Sequence, residues 1–152
     1  MAPCLARMKA MVINDFGGPD VFYSTEIETP TPNEGEVLLK VEATSVNPVD
    51  TKIRSGVLHA ISPPFPAILQ GDVSGIVESV GAGVSDFHPG DEVYSCCGGF
   101  KSLQGALAEF VVADAALLAK RPTNLSVRQS GVMPLASITA WDALHDRGHV
   151  SS

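Results

Sequence analysis

The sequence lacks the features of several specialised classes of protein. It has only three cysteines, Cys4, Cys96 and Cys97, and an odd count with an adjacent pair argues against a disulfide framework. No apolar run reaches the roughly 18 residues that a membrane-spanning helix needs, and the first residues have no pattern of a secretory or transit peptide. These absences predict a protein of the reducing cytoplasm with no membrane partner.

Basic residues are also scarce. The chain has 10 Lys and Arg against 17 Asp and Glu, which gives a formal net charge of −7. Because a negative surface repels polyanions, nucleic acid and anionic lipid are excluded as partners. Of the 152 residues, 45% are hydrophobic, and 14 glycines and 11 prolines interrupt them. This composition predicts one folded, turn-rich domain with its own apolar core.

The predicted elements are mostly short strands. The clearest begins at Glu36, where apolar and polar residues alternate and one face carries Val37, Leu39, Val41 and Ala43. Other strands are predicted within 8–14, 71–84, 91–94 and 107–112. Many short strands separated by turns predict a small barrel or sandwich over residues 8–125, after a loose N-terminal extension, 1–7.

The last residues, 126–152, have a different pattern. Ser126 followed by Gln129 is a capping box, and apolar residues then recur at helical spacing until Gly148. Pro134 interrupts this segment. The sequence therefore predicts two short helices after the β domain.

Two common ligand-binding motifs are missing. The stretch nearest to a dinucleotide-binding turn is GAGVSD, where Asp86 occupies the place of the third glycine, so it is interpreted as a β-turn. The cysteines and four histidines are not spaced as zinc ligands. Cys96 and Cys97 are instead expected at a strand end, one thiol facing inward and the other outward.

A polar segment, 45–56, follows the clearest strand. It has two interpretations. It is either a loop with ordinary local hydrogen bonds, or the edge of a cleft in which Asn47 and Lys52 donate hydrogen bonds to a carbonyl oxygen that becomes negative during reduction.

Three ordered stretches carry a family resemblance. They are VLLKVEATSVNPVDTKIRSG, PAILQGDVSGIVESVGAGVSDFHPGDEVY and GALAEFVVADAALLAKRPTNLSVRQSGVMPLASITAW. Together they resemble the medium-chain dehydrogenase/reductase superfamily, and most closely its zinc-independent branch of quinone oxidoreductases and enone reductases. The resemblance implies a mainly β (α+β) GroES-like catalytic domain, a distorted barrel with short helices. In that superfamily a Rossmann domain normally follows and carries the nicotinamide cofactor. The chain is therefore expected to be the N-terminal part of a longer enzyme and inactive alone.

The resemblance also bears on zinc. In the zinc-dependent branch a cysteine would occupy the position of Asn47, and a His-Glu pair the positions of Gly71 and Asp72. An amide, a glycine and one carboxylate do not make a tetrahedral zinc site. No zinc is expected.

The resemblance implies hydride transfer from NADPH or NADH to a quinone or an α,β-unsaturated carbonyl. Asn47 and Lys52 are the implied residues facing the nicotinamide and the substrate. Thr139 is the implied neighbour of the nicotinamide carboxamide, although a helix hydroxyl bonded to its own backbone is the simpler interpretation. Asp50 and Asp72 are candidates for structural carboxylates that fix the loop. The full-length protein is expected to form a homo-oligomer.

Two alternatives remain at this point. The chain is a non-catalytic GroES-like binding module or a truncated product, with an exposed apolar surface on its last helices. Less expected is a zinc-dependent alcohol dehydrogenase.

Overall fold

The computed structural model describes residues 6–150. In that part of the chain the elements are β1 (Arg7–Val12), β2 (Tyr23–Glu28), β3 (Glu36–Thr44), α1 (Pro48–Arg54), β4 (Asp72–Val80), β5 (Glu92–Cys96), β6 (Phe110–Asp114), β7 (Ala119–Lys120), α2 (Val127–Ser130), α3 (Pro134–Trp141) and a π-helical turn (Asp142–Arg147). The prediction of a mainly β fold with short helices is confirmed. No helix in the described residues is long and apolar enough to cross a membrane.

The strands form two antiparallel sheets. One is the β1-β2 pair, and the other has five strands in the order β6-β3-β4-β5-β7. Isolated bridges from Ala10 to Ala108 and from Ile13 to Ala67 join the small sheet to the rest of the domain. The central strand pair, β3 and β4, therefore lies between outer strands and is well placed to carry the core.

The main core lies on one face of the five-stranded sheet. Val37 and Leu39 of β3 are fully buried there, as the alternation predicts, and Val41 packs against the same cluster at partial burial. Buried valines from β4 and β5 complete it: Val73, Val77 and Val93. A second cluster, which includes Ile53 of α1, packs that helix onto the domain.

Three elements were not predicted. β2 has mostly exposed side chains and β7 has two residues, so neither shows a hydrophobic period. α1 lies in the polar segment that was interpreted as a loop or a cleft edge. Its signal was the Asn47-Pro48-Val49-Asp50 sequence, which is an N-terminal helix cap followed by a proline.

The first and last elements of the fold can be compared with the predicted boundaries. Residues 1–5 of the predicted extension lie outside the described residues. Ala6 accepts a backbone hydrogen bond from Thr29, and Arg7 already belongs to β1. At the other end, the predicted capping box of Ser126 and Gln129 begins α2, and Pro134 begins α3.

Candidate functional site

The first turn of α1 is fixed at the end of β3. Asn47 is its N-cap, and Asp50 Oδ2 accepts a hydrogen bond of 2.6 Å from the backbone N–H of Asn47. Pro48 has no N–H to satisfy and a backbone angle suited to the first helical position. Ile53 anchors the helix from its buried side. These local interactions set where Asn47 and Asp50 lie.

Asp72 joins three elements around one carboxylate. It is fully buried at the start of β4. Its Oδ2 accepts hydrogen bonds from Ser45 Oγ at 2.7 Å and Asn47 Nδ2 at 2.9 Å, and its Oδ1 accepts from the Leu135 N–H at 2.8 Å. The Leu135 N–H belongs to the first turn of α3, where backbone donors have no helical partner. Asp72 thus connects the end of β3, the start of α1 and the start of α3.

These contacts determine which hydrogen-bonding atoms of the Asn47 side chain remain available. Its Nδ2 donates to Ser45 Oγ at 3.0 Å as well as to Asp72. Because a carboxamide nitrogen has two hydrogens, both are directed at protein acceptors. The side-chain atom left to accept hydrogen bonds is Oδ1, which has two lone pairs and also takes part in the capping box of α1. The sequence predicts a hydrogen-bond donor at Asn47, whereas both N–H groups of its side chain are already used within the protein.

A cleft of about 360 Å³ opens between α1, the start of β4 and α3. Its lining is largely apolar: Asn47, Pro48, Val49, Asp50, Ile61, Gly71, Cys96, Phe100, Leu135 and Thr139. Gly71 has no room for a side chain, since a Cβ there would lie 2.6 Å from the Gly98 carbonyl oxygen. It would also lie 3.3 Å from Cys96 Sγ. The glycine therefore leaves the Cys96 thiol uncovered on the cleft side.

The two cysteines face different environments, as the sequence predicts. Cys96 lines the cleft, whereas Cys97 is buried in the main core. Burial, followed by the charges of Asp72 and Asp50, raises the pKa of the Cys96 thiol to about 11. Burial raises the pKa of Cys97 to about 12. Both thiols are therefore protonated at neutral pH.

Asp50 is buried as well, with 6% of its surface exposed. Burial raises its pKa above the usual value and the neighbouring Asp72 charge adds to the rise, while backbone N–H groups of Asn47 and Gln70 oppose it. The recorded ion pairs of the described residues do not include either aspartate. Neither Asp50, which lines the cleft, nor Asp72, which is buried behind Asn47, therefore has a cationic partner among the described residues.

Gln70 adopts an unusual conformation beside this cleft. Its φ is +73°, in the left-handed region that side chains disfavour. Its Oε1 is buried and has no hydrogen-bond partner among the described residues. It borders a smaller cavity of about 120 Å³ that also contacts Asp50 and Arg54. Gln70 therefore combines a strained backbone with an unsatisfied buried oxygen. A glycine at this position would avoid both and would make the segment more stable.

Thr139 and Lys52 occupy different positions relative to the cleft. Thr139 lines it, and its hydroxyl donates to the Leu135 carbonyl at 2.7 Å, which leaves its lone pairs as acceptors. Lys52 is exposed on α1 and is not among the lining residues. It lies four residues after Pro48 and three after Val49, so it extends the face of α1 that borders the cleft.

The residues present do not fit a zinc ion. Asn47 offers a neutral amide, Gly71 offers no side chain, and the oxygens of Asp72 already accept three hydrogen bonds. Zinc prefers thiolate, imidazole and free carboxylate ligands. No group of three or more His, Cys, Asp or Glu side chains with metal-binding geometry occurs within residues 6–150.

Sequence reasoning missed several members of this cleft. Phe100 and Leu135 carry no chemical signal, and Cys96 was interpreted only as packing. No local signal marks Cys96, because its place opposite Asp72 follows from the register in which β5 pairs with β4. That register is a long-range property.

The fold is that of a GroES-like domain of the medium-chain dehydrogenase/reductase superfamily. Residues 33–123 match the family model described as the alcohol dehydrogenase GroES-like domain, and the chain belongs to this family.

Relatives and solved structures agree with this assignment. The chain is 41% identical over 144 residues to an NADPH-dependent alkenal/one oxidoreductase, chloroplastic, of Arabidopsis thaliana, covering 91% of the chain and 37% of the relative. It is 38% identical over 145 residues to a quinone oxidoreductase of Rattus norvegicus, covering 95% and 43%. An alcohol dehydrogenase superfamily protein from Novosphingobium aromaticivorans superposes with a TM-score of 0.90 at 43% identity, covering 95% and 43%. The chain thus spans about two fifths of the length of these proteins.

Proposed function

We propose that this chain is the catalytic domain of an NAD(P)H-dependent, zinc-independent oxidoreductase that reduces quinones or α,β-unsaturated carbonyls. The observation that carries the proposal is the apolar cleft with two hydrogen-bond acceptors, Asn47 Oδ1 and the Thr139 hydroxyl, on its border. The similarity to an alkenal/one oxidoreductase and a quinone oxidoreductase supports it.

The acceptors fit a nicotinamide. Its carboxamide carries N–H donors, and Asn47 and Thr139 both offer lone pairs after their own hydrogens are used within the protein. Pro48 and Leu135 offer flat apolar contacts for the ring. When bound, the cofactor supplies a hydride to an electrophilic carbon of the substrate. Asn47 and Thr139 orient the ring, and the apolar lining excludes water.

Lys52 is the proposed donor to the substrate oxygen. Negative charge develops on this oxygen when the conjugated carbonyl or quinone is reduced, and a positioned N–H group stabilises it. Asn47 has no free N–H for this purpose, whereas the Lys52 ammonium is exposed on the same helix. Asp50 and Asp72 have positioning roles, because they fix the backbone and the side chain of Asn47 respectively.

The test is enzymatic assay of a full-length protein that contains this chain, with an enone or a quinone as substrate. We expect oxidation of NADPH or NADH, and we expect Lys52→Met to lower kcat/KM by about 100-fold, the loss typical for one such donor. Lys40→Met removes an equivalent exposed lysine from β3 and should leave kcat/KM unchanged. If kcat/KM is the same in the two variants, Lys52 is not the donor to the substrate oxygen.

Zinc independence has a separate test. Elemental analysis of the purified full-length protein should give far less than one zinc per chain, and a chelator should leave its activity intact. Stoichiometric zinc with chelator-sensitive activity would contradict this part of the proposal.

The proposal extends to the arrangement of the whole protein. A Rossmann domain would bind the rest of the cofactor, and the full-length protein would form a homo-oligomer in the cytoplasm. The odd count of three cysteines, two of them adjacent, supports a reducing compartment. Sizing chromatography and cell fractionation test these points, and a location in an organelle, like that in the name of the Arabidopsis relative, would correct the last.

A second candidate function is a non-catalytic binding module. Large apolar side chains are exposed around α3: Val132, Met133, Ile138, Trp141 and Leu144. Such a surface favours association with another protein surface. A monomeric, highly soluble chain in sizing experiments would count against this candidate.

A further inference from the structure

The wall of the cleft combines apolar contacts with negative charge. Phe100, Leu135 and Ile61 contribute apolar surface, Asp50 is a lining residue, and Asp72 lies beneath Asn47 at 2.9 Å from its Nδ2. The donors to Asp72 are a hydroxyl, an amide and a backbone N–H, all formally neutral. These hydrogen bonds stabilise the negative charge of the Asp72 carboxylate, but they do not cancel it.

The positive charges nearby do not balance it. Arg54 borders the smaller cavity on the other side of α1, where its Nε donates to the Gly17 carbonyl at 3.2 Å. Lys52, the proposed donor to the substrate oxygen, and Lys101, which follows the lining residue Phe100, are both exposed. Water screens an exposed charge far more than a buried one. Asp50 and Asp72 are therefore the charges at the cleft that water screens least.

We propose that Asp50 and Asp72 are specificity determinants that make the cleft accept neutral carbonyl compounds and reject those carrying a carboxylate or phosphate. This inference rests on the proposed function in taking the cleft as the carbonyl-binding site. An anion entering the apolar cleft gives up hydration and meets two like charges, whereas a neutral quinone or enone loses little.

Cys96 offers a direct probe of this field. Its thiol is on the cleft side, uncovered because Gly71 has no Cβ. Neutral iodoacetamide and anionic iodoacetate are nearly equal in size, and both alkylate a thiolate: an S–C bond forms, iodide leaves, and the thiol proton passes to water. Because both need the same thiolate, the raised pKa of Cys96 cancels in the ratio of their rates. The ratio therefore reports only how the cleft treats charge.

The experiment measures both alkylation rates at Cys96 in the intact chain by peptide mass spectrometry, which separates Cys96 from Cys4 and Cys97. N-acetylcysteine gives the reference ratio. We expect iodoacetate to be disfavoured at Cys96 by about tenfold relative to that reference, as two carboxylates within several ångströms would impose. A ratio equal to the reference would overturn the inference. This result would not bear on the proposed reductase activity, because the experiment measures no turnover.

Variants locate the effect. Asp50→Asn keeps an acceptor for the Asn47 N–H and should move the ratio toward the reference. Asp86→Asn removes an equal charge from the exposed turn after β4, at the other end of the strand from Asp72, and should change nothing. An equal shift in both variants would show a general surface-charge effect and would contradict the assignment. If Asp50→Asn does not fold, the ratio in the unmodified chain decides the matter.

Discussion

Replacing Asp72 by alanine should destabilise the domain and release α3. The substitution removes the acceptor of three buried or half-buried donors, Ser45 Oγ, Asn47 Nδ2 and Leu135 N. Asn47 can still donate to Ser45 Oγ, and the Ser45 hydroxyl can rotate to another acceptor. The Leu135 N–H and one Asn47 N–H are left unsatisfied. At about 1–3 kcal/mol for each such donor, the free energy of unfolding should fall by about 2–6 kcal/mol.

Urea denaturation followed by two probes tests this. Far-UV circular dichroism reports the sheet, and Trp141, the single tryptophan of the sequence, reports α3. The fluorescence transition of Asp72→Ala should precede the circular dichroism transition, because α3 loses its contact to β4. Asp86→Ala is the control, since Asp86 is exposed, and its effect should stay within about 0.5 kcal/mol. A loss below about 1 kcal/mol in Asp72→Ala would refute the reasoning about unsatisfied donors. Coincident transitions would refute the anchoring of α3.

Three further predictions concern the neighbouring residues. Gln70→Gly should raise the free energy of unfolding by about 1 kcal/mol, because it relieves a left-handed backbone and a buried unsatisfied oxygen; an unchanged or lower melting midpoint would contradict this. Gly71→Ala should lower stability by about 1–3 kcal/mol, since its Cβ would lie 2.6 Å from the Gly98 carbonyl oxygen, and denaturant titration measures it. With a pKa near 11, Cys96 should react with iodoacetamide about tenfold faster for each pH unit between 7 and 10, and a plateau below pH 9.5 would show an ordinary thiol.

The strands were predictable where burial on one face imposes alternation. β3 is predictable because apolar and polar residues alternate along it, and the apolar residues Val37 and Leu39 are buried as this alternation predicts. β2 was not, because its side chains are largely exposed and it is held by backbone pairing to β1. Such pairing depends on a partner distant in sequence and leaves no local pattern.

The candidate site was also only partly predictable from the sequence. Asn47 and Thr139 were selected from the sequence and both line the cleft. The engagement of both Asn47 hydrogens was not predictable, because it depends on Asp72, which is 25 residues away. Similarly, nothing local to Cys96 shows that the register of β4 and β5 sets it opposite Asp72. Side-chain identity was available from the sequence, but hydrogen-bond direction required the tertiary contacts.

The position of Cys96 and Cys97 has a consequence for oxidative chemistry. Adjacent Cα atoms are about 3.8 Å apart, which is shorter than the roughly 4.4–6.8 Å that a disulfide usually spans. The two side chains also lie apart, one at the cleft and one in the core with 3% of its surface exposed. Under oxidative stress the pair therefore does not close on itself. Because peroxide reacts with the thiolate and the pKa of Cys96 is raised to about 11, even the cleft thiol resists conversion to a sulfenic acid at neutral pH.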